Sequence, residues 1–228
     1  MSVWTIVLVI VVVLGIPVSL ILRLHRFQKN LPPPSEPPQA INEETEEFYS
    51  ATRLAGHTLV GWQTSAIKEI DSVRMHHIID GDVICTTYDW SLHDLYGLVT
   101  YHMAGIAAGS LCYGKIHSLA SATDLAEAYR LAERIVASDP DGENSPLPEV
   151  PDIADIAIAD LYTPYAQDPR VIHVLNKCYG VAQIQIAANN ATLIQLRERL
   201  LKNDELLGAD LIEICGPRFE STEAKDPE

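Results

Sequence analysis

The chain has 228 residues and a hydrophobic fraction of 47%, and its 31 acidic against 16 basic side chains give a net charge of −15. A surface of that sign repels phosphate backbones and argues against nucleic acid as a direct partner. No two of the four cysteines (Cys85, Cys112, Cys178 and Cys215) are closer than 27 residues, which excludes CxxC zinc and redox motifs; they read as buried thiols of a reducing compartment.

The first element is apolar. Val3 to Leu22 is a run of 20 residues without a charge. At about 1.5 Å per residue it spans about 30 Å, the thickness of a bilayer's hydrocarbon core. Trp4 sits where an interfacial aromatic belongs, and Pro17 is tolerable because membrane helices accept kinks. A cleaved signal peptide fits poorly, since no basic region precedes the run and no small-x-small site follows it. Arg23, Arg26 and Lys29 all lie on its C-terminal side. The positive-inside rule therefore predicts a single-pass anchor with the N-terminus outside and the remainder cytoplasmic or topologically equivalent. In that orientation the sequon Asn190-Ala191-Thr192 stays unmodified. Residues 1–29 are thus read as anchor and basic flank. Residues 30–41 hold five prolines within Pro32–Pro38, a semi-rigid polyproline spacer.

Residues 42–220 are read as one mainly α-helical soluble domain. Asn42 and the acidic residues after it suit a helix start. Phe48, Thr52, Ala55, Leu59, Trp62, Ala66, Ile70 and Val73 then follow at steps of three and four. That period predicts one long helix into the low 70s with a single apolar face, offered to the core or to a partner protein. Asp80-Gly81 lies between Met75–Ile79 and Val83–Tyr88, which fits a small β-hairpin near residues 75–88 and equally a helix end with a loop. Ser91 to Asp94 resembles a capping box and predicts a helix from Leu92 to about Tyr113, in which Gly105 and Gly109 would let another helix come close. The uncharged stretch Leu95–Tyr113 is long enough for a second membrane segment, but His102 and three tyrosines favour a buried core helix. Thr123 or Ser121 caps a further helix, Asp124–Ala137. The prolines of Asp139–Asp152 make a loop, Ile153–Leu161 a short helix, and Asp168-Pro169 opens a helix running towards Lys202, with breaks expected near Gly180 or Asn189-Asn190. A last short helix, 204–215, stops at Gly216-Pro217, and residues 221–228 read as a disordered tail.

Candidate chemistry is sparse. His93-Asp94, with His57 and His117 as further ligands, invites comparison with metal-dependent HD phosphohydrolases, although the apolar run such pairs follow is missing. His76-His77 with Asp80 and Asp82 is the densest ligand-like cluster, yet adjacent histidines point apart. Asp139–Asn144 begins like a calcium loop, but the glycine stands at position 4 rather than 6 and position 12 is Val150. No GxSxG, Walker A or dinucleotide fingerprint occurs. No catalytic, metal or cofactor residue is assigned. The expectation is a non-enzymatic, membrane-anchored accessory, scaffold or assembly subunit. It would meet the bilayer through residues 3–22 and a protein partner, or a second copy, through Phe48, Thr52, Ala55, Leu59, Trp62, Ala66 and Ile70. The alternative is a membrane-tethered hydrolase with His and Asp ligands.

Overall fold

The computed structural model describes residues 43–75, 81–87, 90–114, 118–148 and 168–218. The chain divides into two units, Met1–Ile41 and Asn42–Glu228, and all described residues belong to the second. The anchor at 3–22, the proline spacer, Asn42, the pair His76-His77, His117, the short helix at 153–161 and the tail lie outside the described residues.

The domain is mainly helical with a small sheet. In chain order it runs α1 (Glu43–Gln63), β1 (Ile67–Met75), β2 (Gly81–Thr87), α2 (Leu92–Tyr113), α3 (Ser118–Ser138), α4 (Pro169–Ala188), α5 (Asn190–Asn203), β3 (Glu205–Leu207) and α6 (Gly208–Cys215). Among the described residues no helix is long and apolar enough to cross a membrane, α2 included.

The long helix expected into the low 70s stops at Gln63, and Ala66 and Ile70 belong to the turn and strand that follow. The cause is two irregularities in β1. Its pairing with β2 shifts register between Ile67 and Glu69 and again between Ile70 and Ser72. Each extra residue breaks the alternation of a strand, so the buried positions Ile67, Ile70 and Val73 recur every third residue, as they would on a helix. The antiparallel β1–β2 pair answers the open choice at 75–88 in favour of strands, beginning eight residues earlier than the Met75 flank suggested. β3 pairs antiparallel with β1 on its other edge, through Ser72 with Leu207, Val73 with Leu206 and Arg74 with Glu205, making the sheet order β2-β1-β3.

The apolar face expected on α1 is also too narrow a description. From Tyr49 to Trp62 every residue is buried, so this helix runs through the core rather than along it. Two of its hydroxyls are satisfied locally: Thr52 and Thr58 donate to the carbonyls four residues back, each at 2.8 Å. α2 is the second central helix and packs on α1, α3 and α4. Ser91 and Asp94 cap it reciprocally, and Gly114 ends it at φ 65°. α1 and α2 cross at glycines. A Cβ on Gly56 would meet Ala108 Cβ at 2.6 Å and Ala104 O at 2.7 Å.

α3 begins at Ser118, six residues before the expected Asp124, which moves Asp124 from a helix start into the helix body. Asp168 caps α4 by accepting from the Arg170 N–H at 2.9 Å, with Pro169 in the first turn. The α4–α5 break falls at Asn189, where φ −118° and ψ 29° leave the helical region. The last segment returns to the middle of the molecule. Trp62 Nε1 donates to Gly216 O at 3.1 Å, and the Arg218 guanidinium donates to the carbonyls of Gly61 (3.0 Å), Thr64 (2.9 Å) and Ile67.

Candidate functional site

One cluster of charged groups lies deep in the domain. α1 turns Arg53 and His57, one turn apart, to the same side, and α3 brings Asp124 to meet them. Arg53 Nη1 donates to Asp124 Oδ2 at 2.7 Å, and His57 Nε2 lies 3.0 Å from the same oxygen. The three side chains expose only 6%, 4% and 10% of their surface. Arg53 also donates to Gly81 O at the start of β2 (3.3 Å). His57 Nδ1 donates to Tyr101 O on α2 at 2.8 Å, since a carbonyl can only accept. That leaves Nε2 facing Asp124 and, at 3.5 Å, the Arg53 guanidinium. Four elements thus meet at one buried point.

The electrostatics follow from this packing. Burial pulls the Asp124 carboxyl upward, but His57 and then Arg53 outweigh it and hold the group well below the usual carboxylate range. His102, next along α2 from Tyr101, is lowered from 6.5 to about 4, by burial first and by His57 second. Tyr101 is pushed far above its ordinary range, chiefly by burial. Room for the cluster comes from Gly105, where a Cβ would overlap His57 Nε2 and lie 2.6 Å from Arg53 Cγ. At Gly109 a Cβ would sit 2.7 Å from the Tyr49 hydroxyl. Both glycines therefore lie where α2 faces α1.

The other residues marked by sequence are placed differently. Of the face offered to the core or to a partner, Thr52, Ala55, Leu59, Trp62, Ala66 and Ile70 are buried in the domain's own core, while Phe48 remains 37% exposed under the Arg197 guanidinium, 4.4 Å from its ring centre. Asp94 is occupied with Ser91, whose hydroxyl it holds at 2.5 Å, and His93 is exposed on the outer surface of α2's first turn. Among the described residues no three His, Cys, Asp or Glu side chains gather so as to hold a metal ion. Asp139 accepts from the Asn144 backbone (2.9 Å) and side chain (3.1 Å), a loop closed on itself. Beside it a cleft of about 280 Å³ is lined by both signs of charge, Asp139 and Asp141 together with Arg170 and Lys177. All four cysteines are free thiols. Only Cys178 is fully buried, its pKa pushed up to about 12 by burial; Cys112 is exposed, against the expectation of four buried thiols.

Sequence reading missed the partnership of Arg53 and Asp124. The available signal was an arginine inside an otherwise apolar and small-residue helix, four residues before a histidine. Charges in such a position are retained only with partners. No protein-family model matches the chain, and a search of curated proteins finds no match.

Proposed function

We propose that this chain is a membrane-anchored, non-enzymatic accessory or assembly subunit whose helical domain works on the cytoplasmic, or topologically equivalent, side. The observation that carries the reading is the uncharged run from Val3 to Leu22 with Arg23, Arg26 and Lys29 all on one side of it. The non-enzymatic part is supported by the fate of the groups best suited to chemistry. Arg53, His57 and Asp124 are turned on one another in the core, and the Asp94 carboxylate holds a helix cap. Partner contact then falls to groups left outside the core, such as Phe48 with Arg197 over its ring and Trp90 with Arg134 4.3 Å from its ring centre. Purification of the full chain from its native membrane in mild detergent tests this. A stoichiometric protein partner, or a homo-oligomer, lost on Phe48→Ala or Trp90→Ala is the expected result; a monomer recovered from the soluble fraction defeats it.

A further inference from the structure

We propose that the outer face of the sheet is a docking surface for a partner protein's amphipathic helix, apolar along its middle and basic at its flanks. An antiparallel sheet with one face on a core normally turns polar side chains to the other. Here Val73 and Leu206 are fully buried on the core side, and the opposite side departs from that rule. The strand register sets Ile84 of β2 and Leu207 of β3 in one row with Ser72 of β1 between them. Ile84 is 41% and Leu207 54% exposed, whereas Ser72 is only 4% exposed. Two large apolar side chains thus stand as the walls of a dip whose floor is a serine.

The dip has the dimensions of a helix. Two strand spacings, about 9–10 Å, separate its walls, close to the roughly 10 Å diameter of a helix with its side chains. A helix laid along β1 would seat one apolar side chain over Ser72 and touch Ile84 and Leu207 with its neighbours on either side, the groove mode of helix recognition. Charge decides which helix. The next row of the register is Asp82, Arg74 and Glu205, with Arg74 Nε donating to Glu205 at 2.6 Å. Across the three strands the charged residues are Glu69, Asp71, Asp82 and Glu205 against Lys68 and Arg74, an excess of acid that lysines or arginines beside the apolar stripe would meet. A second copy would bring the same excess, on a chain of net charge −15, and so fits the face worse. The inference rests on the accessory-subunit reading and names the partner's chemistry; it is independent of the anchor's orientation.

Photocrosslinking from p-benzoylphenylalanine placed at Ile84, and separately at Leu207, in the full chain in its native membrane tests this. Both positions should give an adduct with one protein, mapped to a segment whose apolar residues recur at steps of three and four with Lys or Arg beside them. The same probe at Ile184 on α4, which is 47% exposed, should give no adduct with that segment. No adduct from the sheet, or adducts with lipid, with a second copy or with an extended or acidic segment, overturns the proposal. Ser72→Leu then separates a shaped dip from a merely adhesive patch. It adds apolar surface but fills the floor, and should weaken recovery of the partner by about tenfold or more; equal or stronger recovery overturns the dip. Where Ser72→Leu lowers the melting temperature, Ile84→Ser combined with Leu207→Ser reads the same point at exposed positions, with the same loss expected. A stoichiometric partner that copurifies yet is never crosslinked from the sheet leaves the accessory-subunit reading standing and defeats this one; a chain with no partner defeats both.

Discussion

Asp124 stays ionised inside the fold because Arg53 and His57 stand beside it, and each of the three depends on the others for its place. Asp124→Ala leaves the guanidinium buried without its carboxylate. Removing one member of a buried pair costs about 3–5 kcal/mol, a large share of the roughly 5–15 kcal/mol of a whole domain. A urea titration of the purified chain should show the midpoint falling with little change in slope. Acid acts through the same region in two windows. The folded His102 has a depressed pKa, about 4 against 6.5. Its contribution is complete above pH 6.5 and is lost as pH falls towards 4, with a slope of at most about 1.4 kcal/mol per pH unit for one proton. Asp124 is also depressed, so its contribution persists above about pH 4 and is lost below, as pH falls through its folded value. Melts between pH 7 and 4.5 should decline in wild type and flatten in His102→Gln; an unchanged pH dependence in that variant would refute the assignment. Trp62 is 9% exposed, with its indole N–H on Gly216 O. Trp62→Ala should cost about 3–5 kcal/mol, read in thermal melts, as for a core aromatic.

Among the elements, helices bounded by local chemistry were legible and those bounded by tertiary contacts were not. Ser91 with Asp94, and Asp168 with Pro169, announce α2 and α4 because a cap is written in adjacent residues. β3 is three residues long and exists only because β1 lies beside it, so nothing in Glu205–Leu207 reveals it. The β1 error has a similar root: bulges are set by the partner strand, and they imposed a spacing of three on a strand. The site was less legible still. Arg53 and Asp124 are separated by 71 residues, and only the packing of α1 on α2 and α2 on α3 brings them together. That packing rests on the glycine crossing. Gly56→Ala drives a methyl group against Ala108 Cβ (2.6 Å) and the Ala104 carbonyl (2.7 Å), and the carbonyl belongs to a backbone that cannot step aside. A loss of about 1–3 kcal/mol is expected for such overpacking. Gly114→Ala touches nothing but sits at φ 65°, so only its conformational penalty, of about 1 kcal/mol, should appear. Melts of the two variants side by side separate steric from backbone effects.

At the scale of the molecule, the anchor proposal makes a plain demand. Protease added to intact cells or right-side-out vesicles should leave the helical domain uncut until detergent is added, and digestion before that point would reverse the proposed orientation. A fragment of residues 42–220 should give a far-UV circular dichroism spectrum dominated by helix, as the architecture requires. The tie made by Arg218 carries a further consequence, in the order of manufacture. Its guanidinium closes on the carbonyls of Gly61, Thr64 and Ile67, and the Thr64 contact joins residues 154 apart in the chain. A ribosome adding roughly 5–20 residues per second takes on the order of 8–30 s to cross that distance. For most of that interval β1 has one edge without β3, and the carbonyls of Gly61, Thr64 and Ile67 await their donor. The nascent domain thus spends its youth with an open strand edge, the kind of surface that recruits chaperones or neighbouring chains. Ribosomes stalled before codon 205 should hold the domain protease-sensitive, and stalling far enough downstream to release Arg218 from the exit tunnel should render it resistant within one short step of chain length.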